Sequence, residues 1–155
     1  MTDFHLAQFN IGRLVAPLDT AQLADFVAGL PEINALAEAS PGFVWRHTSA
    51  GGDDATADRP YEDNEIAINL SVWESPQALW DFAYRSRHMD FLRRRREFFS
   101  KSIEPYTVLW WIPAGTTPTI DDAVARLDLL RANGPGPDAF TFREQYPKPV
   151  VTTSS

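Results

Sequence analysis

Trp73-Glu-Ser-Pro-Gln-Ala-Leu-Trp-Asp-Phe-Ala-Tyr-Arg-Ser-Arg-His-Met-Asp-Phe-Leu-Arg-Arg-Arg-Arg-Glu-Phe-Phe99 is the stretch in which a strand ends and two amphipathic helices follow. Ser75 before Pro76 supplies an N-cap and a first-turn proline, so a helix is predicted to start there with Leu79, Phe82 and Ala83 turned inward. Ser86 is read as a bend or a restart. Beyond it His88, Phe91, Leu92, Arg95 and Phe99 recur at helical spacing on one face, and Tyr84 joins that stripe where the helix is continuous. Arg93 to Arg96 spread around the axis at about 100° per residue, so they cannot share one exposed face. Arg95 falls on the apolar side, where a desolvated guanidinium needs a carboxylate, a carbonyl or a bound anion.

Upstream, Asn64 to Trp73 alternates as a strand, with Ile66, Ile68, Leu70 and Val72 on one face and Ala67, Asn69, Ser71 and Trp73 on the other. The first face should pack on helices; the second offers an amide, a hydroxyl and an indole. Downstream, Tyr106 to Ile112 reads as a strand closed by Pro113-Ala-Gly115. At the N-terminus Phe4 to Ile11 alternates, Gln8 and Asn10 sharing a face with Phe4 and Leu6. Those two amides would orient a carbonyl or phenol if they face a pocket and do nothing if they face water.

Asp19 or Thr20 can cap a helix with Leu23, Phe26, Val27 and Leu30 inward. Pro31 is expected to interrupt it, with Ile33, Leu36 and Ala37 continuing in a second piece as far as Ser40-Pro41-Gly42. Phe43 to His47 follows as a short strand with Phe43, Trp45 and His47 on one face. Thr48 to Asp63 has no period and is read as a loop of about sixteen residues, a lid or a surface insertion. Thr119 caps a helix with Val124, Leu127 and Leu130 inward, Asn133-Gly134-Pro135 stops it, and Ala139 to Arg143 is extended. One domain is expected over residues 1–147, with a disordered tail at 148–155.

A chain of 155 residues with 44% hydrophobic content fits one ordinary core. The absence of cysteine excludes disulfides, thiolate metal sites and cysteine catalysis and suits a reducing cytoplasm. No leader pattern and no apolar run of membrane length is seen, so a cytoplasmic protein with no membrane partner is expected. A net charge of −7 argues against nucleic acid as a partner. Yet seven of the 14 cationic residues lie between Arg85 and Lys101, enough to attract a small anion or an acidic partner. The five tryptophans suit a heavy core or the walls around a flat organic molecule.

The order strand, helix, strand, strand, helices, strand, helix describes an α+β, ferredoxin-like unit: a four-stranded antiparallel sheet with helices on one face. Its second face, carrying aromatics, would need cover, and pairing of two copies is the simple solution, so a homodimer is expected. Phe4-His-Leu-Ala-Gln-Phe-Asn10, Ile33-Asn-Ala-Leu-Ala-Glu-Ala-Ser-Pro-Gly-Phe-Val-Trp45, the Trp73 to Phe99 stretch, Leu109-Trp-Trp-Ile-Pro-Ala-Gly115 and Ala139-Phe-Thr-Phe142 together resemble a functionally uncharacterised family of dimeric α+β barrel proteins related to the antibiotic-biosynthesis monooxygenases. The resemblance covers nearly the whole chain and implies a dimeric barrel acting on a small aromatic or polyketide-like molecule by cofactor-free oxidation, cyclisation or isomerisation.

Cofactor-free monooxygenases of that wider group use an Asn and a Trp four residues apart on a strand with an Arg on a later helix; Asn69 and Trp73 are similar in spacing, and the run Arg93 to Arg96 lies in the corresponding region, with the matching arginine left open by an extra residue around Tyr84 to Ser86. In that chemistry Asn69 holds a carbonyl, Trp73 stacks or donates its N–H, Arg95 stabilises an oxyanion and His88 takes a phenolic proton. Gln8, Asn10, Trp45, Tyr84 and Trp110 are the candidate substrate contacts. An ordinary surface histidine at 88 and an Arg95 paired to an acid are the plain alternatives. No compact metal-ligand spacing exists, so no metal is expected. Haem would need one of His88, His47 or His5 as axial ligand and is a lesser alternative to a cofactor-free site. A dimer that holds a hydrophobic molecule without turnover is the competing class.

Overall fold

Period-two alternation in three long strands builds the sheet, and the residues on either side of those strands decide what covers it. The computed structural model describes residues 3–13, 15, 20–47, 66–85 and 106–149. In chain order these form β1 (Phe4–Arg13), a 3-10 turn (Ala21–Leu23), α1 (Ala24–Ala39), β2 (Phe43–Arg46), β3 (Ile66–Trp73), α2 (Pro76–Arg85), β4 (Thr107–Pro113) and α3 (Ile120–Asn133). The four strands make one antiparallel sheet in the order β2-β3-β1-β4. The α+β class and the ferredoxin-like sheet are those expected from the sequence.

Register sorts one sheet face into rungs. Phe43, Trp73, Leu6 and Trp111 lie side by side across all four strands; Arg46, Ser71, Gln8 and Leu109 form the next rung; Asn69, Asn10 and Thr107 form the third. The aromatic rung is covered by Ala37 of α1, Leu79 and Phe82 of α2, and Phe140 from the C-terminal segment. On the opposite face Ala7, Phe9, Leu70, Val72 and Trp110 pack against Ala123, Leu127 and Leu130 of α3. Helices therefore lie on both faces, not on one, and the second face is already buried within the chain. α3 can do this because its apolar stripe is presented by a capping box, Thr119 Oγ1 accepting from the Asp122 N–H and Asp122 accepting in return from the Thr119 N–H.

Three local expectations are corrected. α1 runs unbroken through Pro31. Proline removes the N–H that would bond the Val27 carbonyl, but Val27 is 42% exposed, so water can take that carbonyl and the helix continues. Val27 accordingly faces outward, not inward. In β2, Phe43 pairs with Trp73 and Trp45 with Val72, so Val44 is an extra residue in a β-bulge. The bulge inverts the parity: Phe43 meets the Trp73 ring edge-on at 5.4 Å, whereas Trp45 packs on the α3 side, and the two do not share a face.

The C-terminal segment straps the β4 edge. Leu109 and Phe140 exchange two backbone hydrogen bonds of 2.8 Å, and the Trp111 indole N–H donates to the Tyr146 carbonyl at 2.8 Å. Lys148 Nζ reaches Asp3 Oδ1 at 3.0 Å, which ties down the first residue of the tail expected to be disordered. Residues 150–155, the 48–63 loop and the second half of the Trp73 to Phe99 stretch lie outside the described residues.

Gly42 at the α1–β2 turn has φ +82, and a Cβ there would stand 2.5 Å from the Ala78 Cβ of α2. Gly42→Ala is expected to cost about 2–4 kcal/mol in urea denaturation through left-handed backbone strain and overpacking. Gly115→Ala, at φ +88 but in open space, isolates the strain and should cost about 1 kcal/mol. The Lys148 ammonium, with the Phe4 N–H, lowers the Asp3 pKa from its ordinary 3.8. A depressed carboxyl favours the folded state above the unfolded value and loses that contribution as pH falls through the folded one. NMR titration should find Asp3 below its ordinary value, and Lys148→Ala should move it back up.

Candidate functional site

Gln8 is the centre of the candidate site because β1 places its amide between two strands where water does not reach. It is 4% exposed, and Ser71 opposite it is 6% exposed. Both amide hydrogens are used: Nε2 donates to Ser71 Oγ at 2.9 Å and to Asn69 Oδ1 at 2.5 Å. Its carbonyl Oε1 accepts from Asn10 Nδ2 at 2.9 Å. Ser71 Oγ accepts a second hydrogen, from the Trp73 indole N–H, at 2.9 Å. The chain Asn10, Gln8, Asn69, Ser71, Trp73 is therefore one connected network.

Directionality fixes what this network offers a ligand. Asn69 accepts through Oδ1, so its Nδ2 hydrogens point away from Gln8; Asn10 donates one hydrogen inward, leaving its carbonyl and its second hydrogen. Asn69 is exposed and Asn10 half-buried, so those groups stand at the open end. At the other end Trp73 is 1% exposed, stacked on Phe82 at 5.2 Å with the rings 24° apart. The cluster thus runs from a wet amide end to a dry aromatic wall.

The candidate residues divide accordingly. Gln8, Asn10, Asn69 and Trp73 are brought together on one face. Trp45 and Trp110 are not, since both pack on the α3 side, where Trp110 is 1% exposed. Trp73 has given its only N–H hydrogen to Ser71, so the indole has no second hydrogen to donate. The Tyr84 side chain, His88 and Arg95 lie outside the described residues. His5 and His47, the other candidate haem ligands, belong to the α3 side of β1 and β2 by strand parity, away from the amides. Among the described residues no three His or carboxylate side chains cluster to hold a metal. Among the same residues no helix is long and apolar enough to cross a membrane.

Ser71 was legible as a hydroxyl on the site face but not as the junction, which appears only when β1 and β3 are aligned. Arg46, absent from the sequence candidates, also stands on this face, and Asn34 belongs to α1, whose Ala37 packs against it. Asn34 is 9% exposed, with its Nδ2 buried and unbonded among the described residues. Arg46 stands opposite Ser71, its side chain 14% exposed. An amide in an apolar helix and an arginine beyond an unforeseen bulge left no periodic signal.

A ferredoxin-like α+β sheet with a polar network between it and two helices defines the class. The chain belongs to the DUF3291 family, described as a domain of unknown function, which matches residues 5–155. It is similar to the crystal structure of PA3566 from Pseudomonas aeruginosa, with a TM-score of 0.50 and 14% identity over 75% of this chain and 99% of that one. It is also similar to NE2512, a protein of unknown function from Nitrosomonas europaea, with a TM-score of 0.46 and 14% identity over 75% of this chain and 94% of that one. At these identities PA3566 supports the fold alone. No curated protein matches.

Ser71→Ala leaves the buried indole N–H and one Gln8 hydrogen without acceptors and should cost about 1–3 kcal/mol in urea denaturation. Asn69→Ala, at the wet end where water replaces the bond, should cost less than about 1 kcal/mol.

Proposed function

We propose that the amide-bearing face binds a small planar molecule of aromatic or polyketide type, holding its oxygens at Asn69 and Asn10 and its rings toward the Trp73 wall. The observation that supports this is the directed network around Gln8: it pre-sets the outer amides as donor and acceptor, so they need not reorganise when a ligand arrives. The chemistry proposed for the site is the cofactor-free oxidation, cyclisation or isomerisation that the family resemblance implies. For oxidation, a phenol held at Asn69 loses its proton, and the electron-rich phenolate passes electrons to dioxygen. His88 as the proton acceptor and Arg95 as the charge stabiliser are part of this proposal.

A second reading, a non-catalytic ligand-binding protein, is favoured by the commitment of the Trp73 N–H to Ser71, which removes one donor from the catalytic set. A homodimer accompanies either reading on the strength of the resemblance; the burial of the second sheet face by α3 removes the bare-sheet reason for it.

A panel of naphthols, hydroxynaphthoquinones and anthrones, followed by tryptophan fluorescence for binding and by oxygen uptake for turnover, separates the readings. Binding with oxygen uptake that falls at least about tenfold in Asn69→Ala, His88→Ala or Arg95→Ala is the expected result for the catalytic reading. Saturable binding without product supports the second reading. No binding by any of them overturns both.

A further inference from the structure

The second rung carries a charge that the proposed chemistry has not used. Arg46 on β2 pairs directly with Ser71 of β3 and stands in line with Gln8 of β1, on the amide-bearing face. Its Nε meets Glu38 Oε2 of α1 at 3.3 Å, but the contact is not aligned as a hydrogen bond, and the buried Nε–H has no bonding partner among the described residues. Glu38 is 51% exposed whereas Arg46 is 14% exposed, so the anion is largely hydrated and the cation is not. A guanidinium held this way retains an unspent Nε–H donor in a poorly solvated place.

Asn34 lies one helical turn before Glu38 on α1, so the two side chains are neighbours on the same helix face. Ala37, on that same side, packs against Leu6 and Trp73, which orients the stripe toward the amide-bearing sheet face. The buried Asn34 Nδ2 is a second donor without an acceptor among the described residues. Ser71 supplies a third: its oxygen accepts from Gln8 and Trp73, which leaves its hydroxyl hydrogen to donate. Three donors, one of them cationic, thus belong to the sheet face that α1 packs against: Arg46 and Ser71 by pairing across β2 and β3, Asn34 from one turn before the glutamate that meets Arg46. Native interiors rarely leave buried donors such as the Asn34 amide and the Arg46 Nε–H unsatisfied.

We propose that Arg46, Asn34 and Ser71 form the anion-holding end of the ligand site and take a carboxylate or phenolate oxygen of the bound molecule. This rests on the small-molecule reading above and adds the chemical class of the ligand: a planar aromatic acid with a second oxygen at its far end. The Asn69 and Asn10 rung is about 7 Å from the Arg46 and Ser71 rung, the length of a small fused-ring system. An acid group at the middle rung and a hydroxyl or carbonyl at the wet end would satisfy both.

The test uses the full chain with 6-hydroxy-2-naphthoate and its neutral isostere 6-hydroxy-2-naphthamide, measured by calorimetry at pH 7 and low salt. The expected result is that the acid binds at least about tenfold more tightly than the amide, the value of one charge-assisted hydrogen bond. Arg46→Gln should shrink that ratio to within about twofold, and Arg46→Lys should restore part of it. A 6-hydroxy-naphthalene sulfonamide arm replaces the carboxylate by a weaker acid, and raising the pH until it ionises should recover the preference if the oxyanion is what is read.

Asn34→Leu gives an independent check that does not depend on Arg46 tolerating change. It should raise the melting temperature of the ligand-free protein, because an unsatisfied donor is removed, while weakening the acid at least about fivefold. A lower melting temperature with unchanged acid affinity would show a structural amide and overturn the proposal. Equal binding of acid and amide, or a preference that survives Arg46→Gln, overturns the anion site and leaves the small-molecule reading standing. Failure of both compounds to bind overturns the two together.

Discussion

Gln8 lies 4% exposed in the middle strand pair, so its amide cannot fall back on water for any of its hydrogen bonds. Satisfying it requires Ser71 and Asn69 to be where they are, which fixes the register of β3 against β1. A slip of one residue would turn Ile68 and Leu70 toward the amide and expose the polar side chains to α3, at the cost of a buried, unbonded primary amide. The apolar alternation brings the strands together, but it is indifferent to slips of two. The amide is not, and in that sense it sets the alignment of all three rungs.

Once the rungs are aligned, dryness varies along one face. At the Trp73 end, Leu79 and Phe82 of α2, Ala37 of α1 and Phe140 of the strap exclude water, and the indole N–H is satisfied from within. At the Asn69 end the face opens. Polar groups between those limits sit at intermediate dielectric, where a hydrogen bond is worth more than in water and an unmet donor costs more than on the surface. Arg46 and Asn34 occupy that middle zone. Each has a buried nitrogen with no hydrogen-bond partner among the described residues, although Arg46 also stands 3.3 Å from the Glu38 carboxylate.

The sheet was legible because alternation is a strong signal: Ile68, Leu70 and Val72 against Asn69, Ser71 and Trp73 allowed one reading, and the structure has it. The Thr119 cap was legible for the same reason, a local rule with a local partner in Asp122. What was hidden depended on distant or cancelling effects. The bulge at Val44 has no Gly or Pro to announce it, yet it sends Trp45 to the opposite face and puts Arg46 on the site face. Pro31 announced a break that solvent at Val27 made unnecessary. The apolar faces of β1 and β4 promised a partner, and α3 of the same chain was long enough to be it. Among the site residues, Gln8, Asn10 and Asn69 were readable from strand parity, whereas Asn34 was an ordinary polar residue in a helix until its neighbours were known.

Asn69 and Trp73 show how a spacing can be right and its meaning different. Four residues along a strand return to the same face but advance about 13 Å, so the pair cannot act together on one small atom. Ser71 lies between them and takes the indole hydrogen, while Gln8 takes Asn69, so each is bound to the network before a ligand comes. What the pair defines is a length, with a wall at one end and an amide at the other. Between them lies the middle rung, where Gln8, Ser71 and Arg46 stand side by side across β1, β3 and β2. The two ends therefore differ in kind: the Asn69 amide keeps polar groups free at the open end, whereas the Trp73 indole has its one hydrogen committed and leaves only an apolar ring.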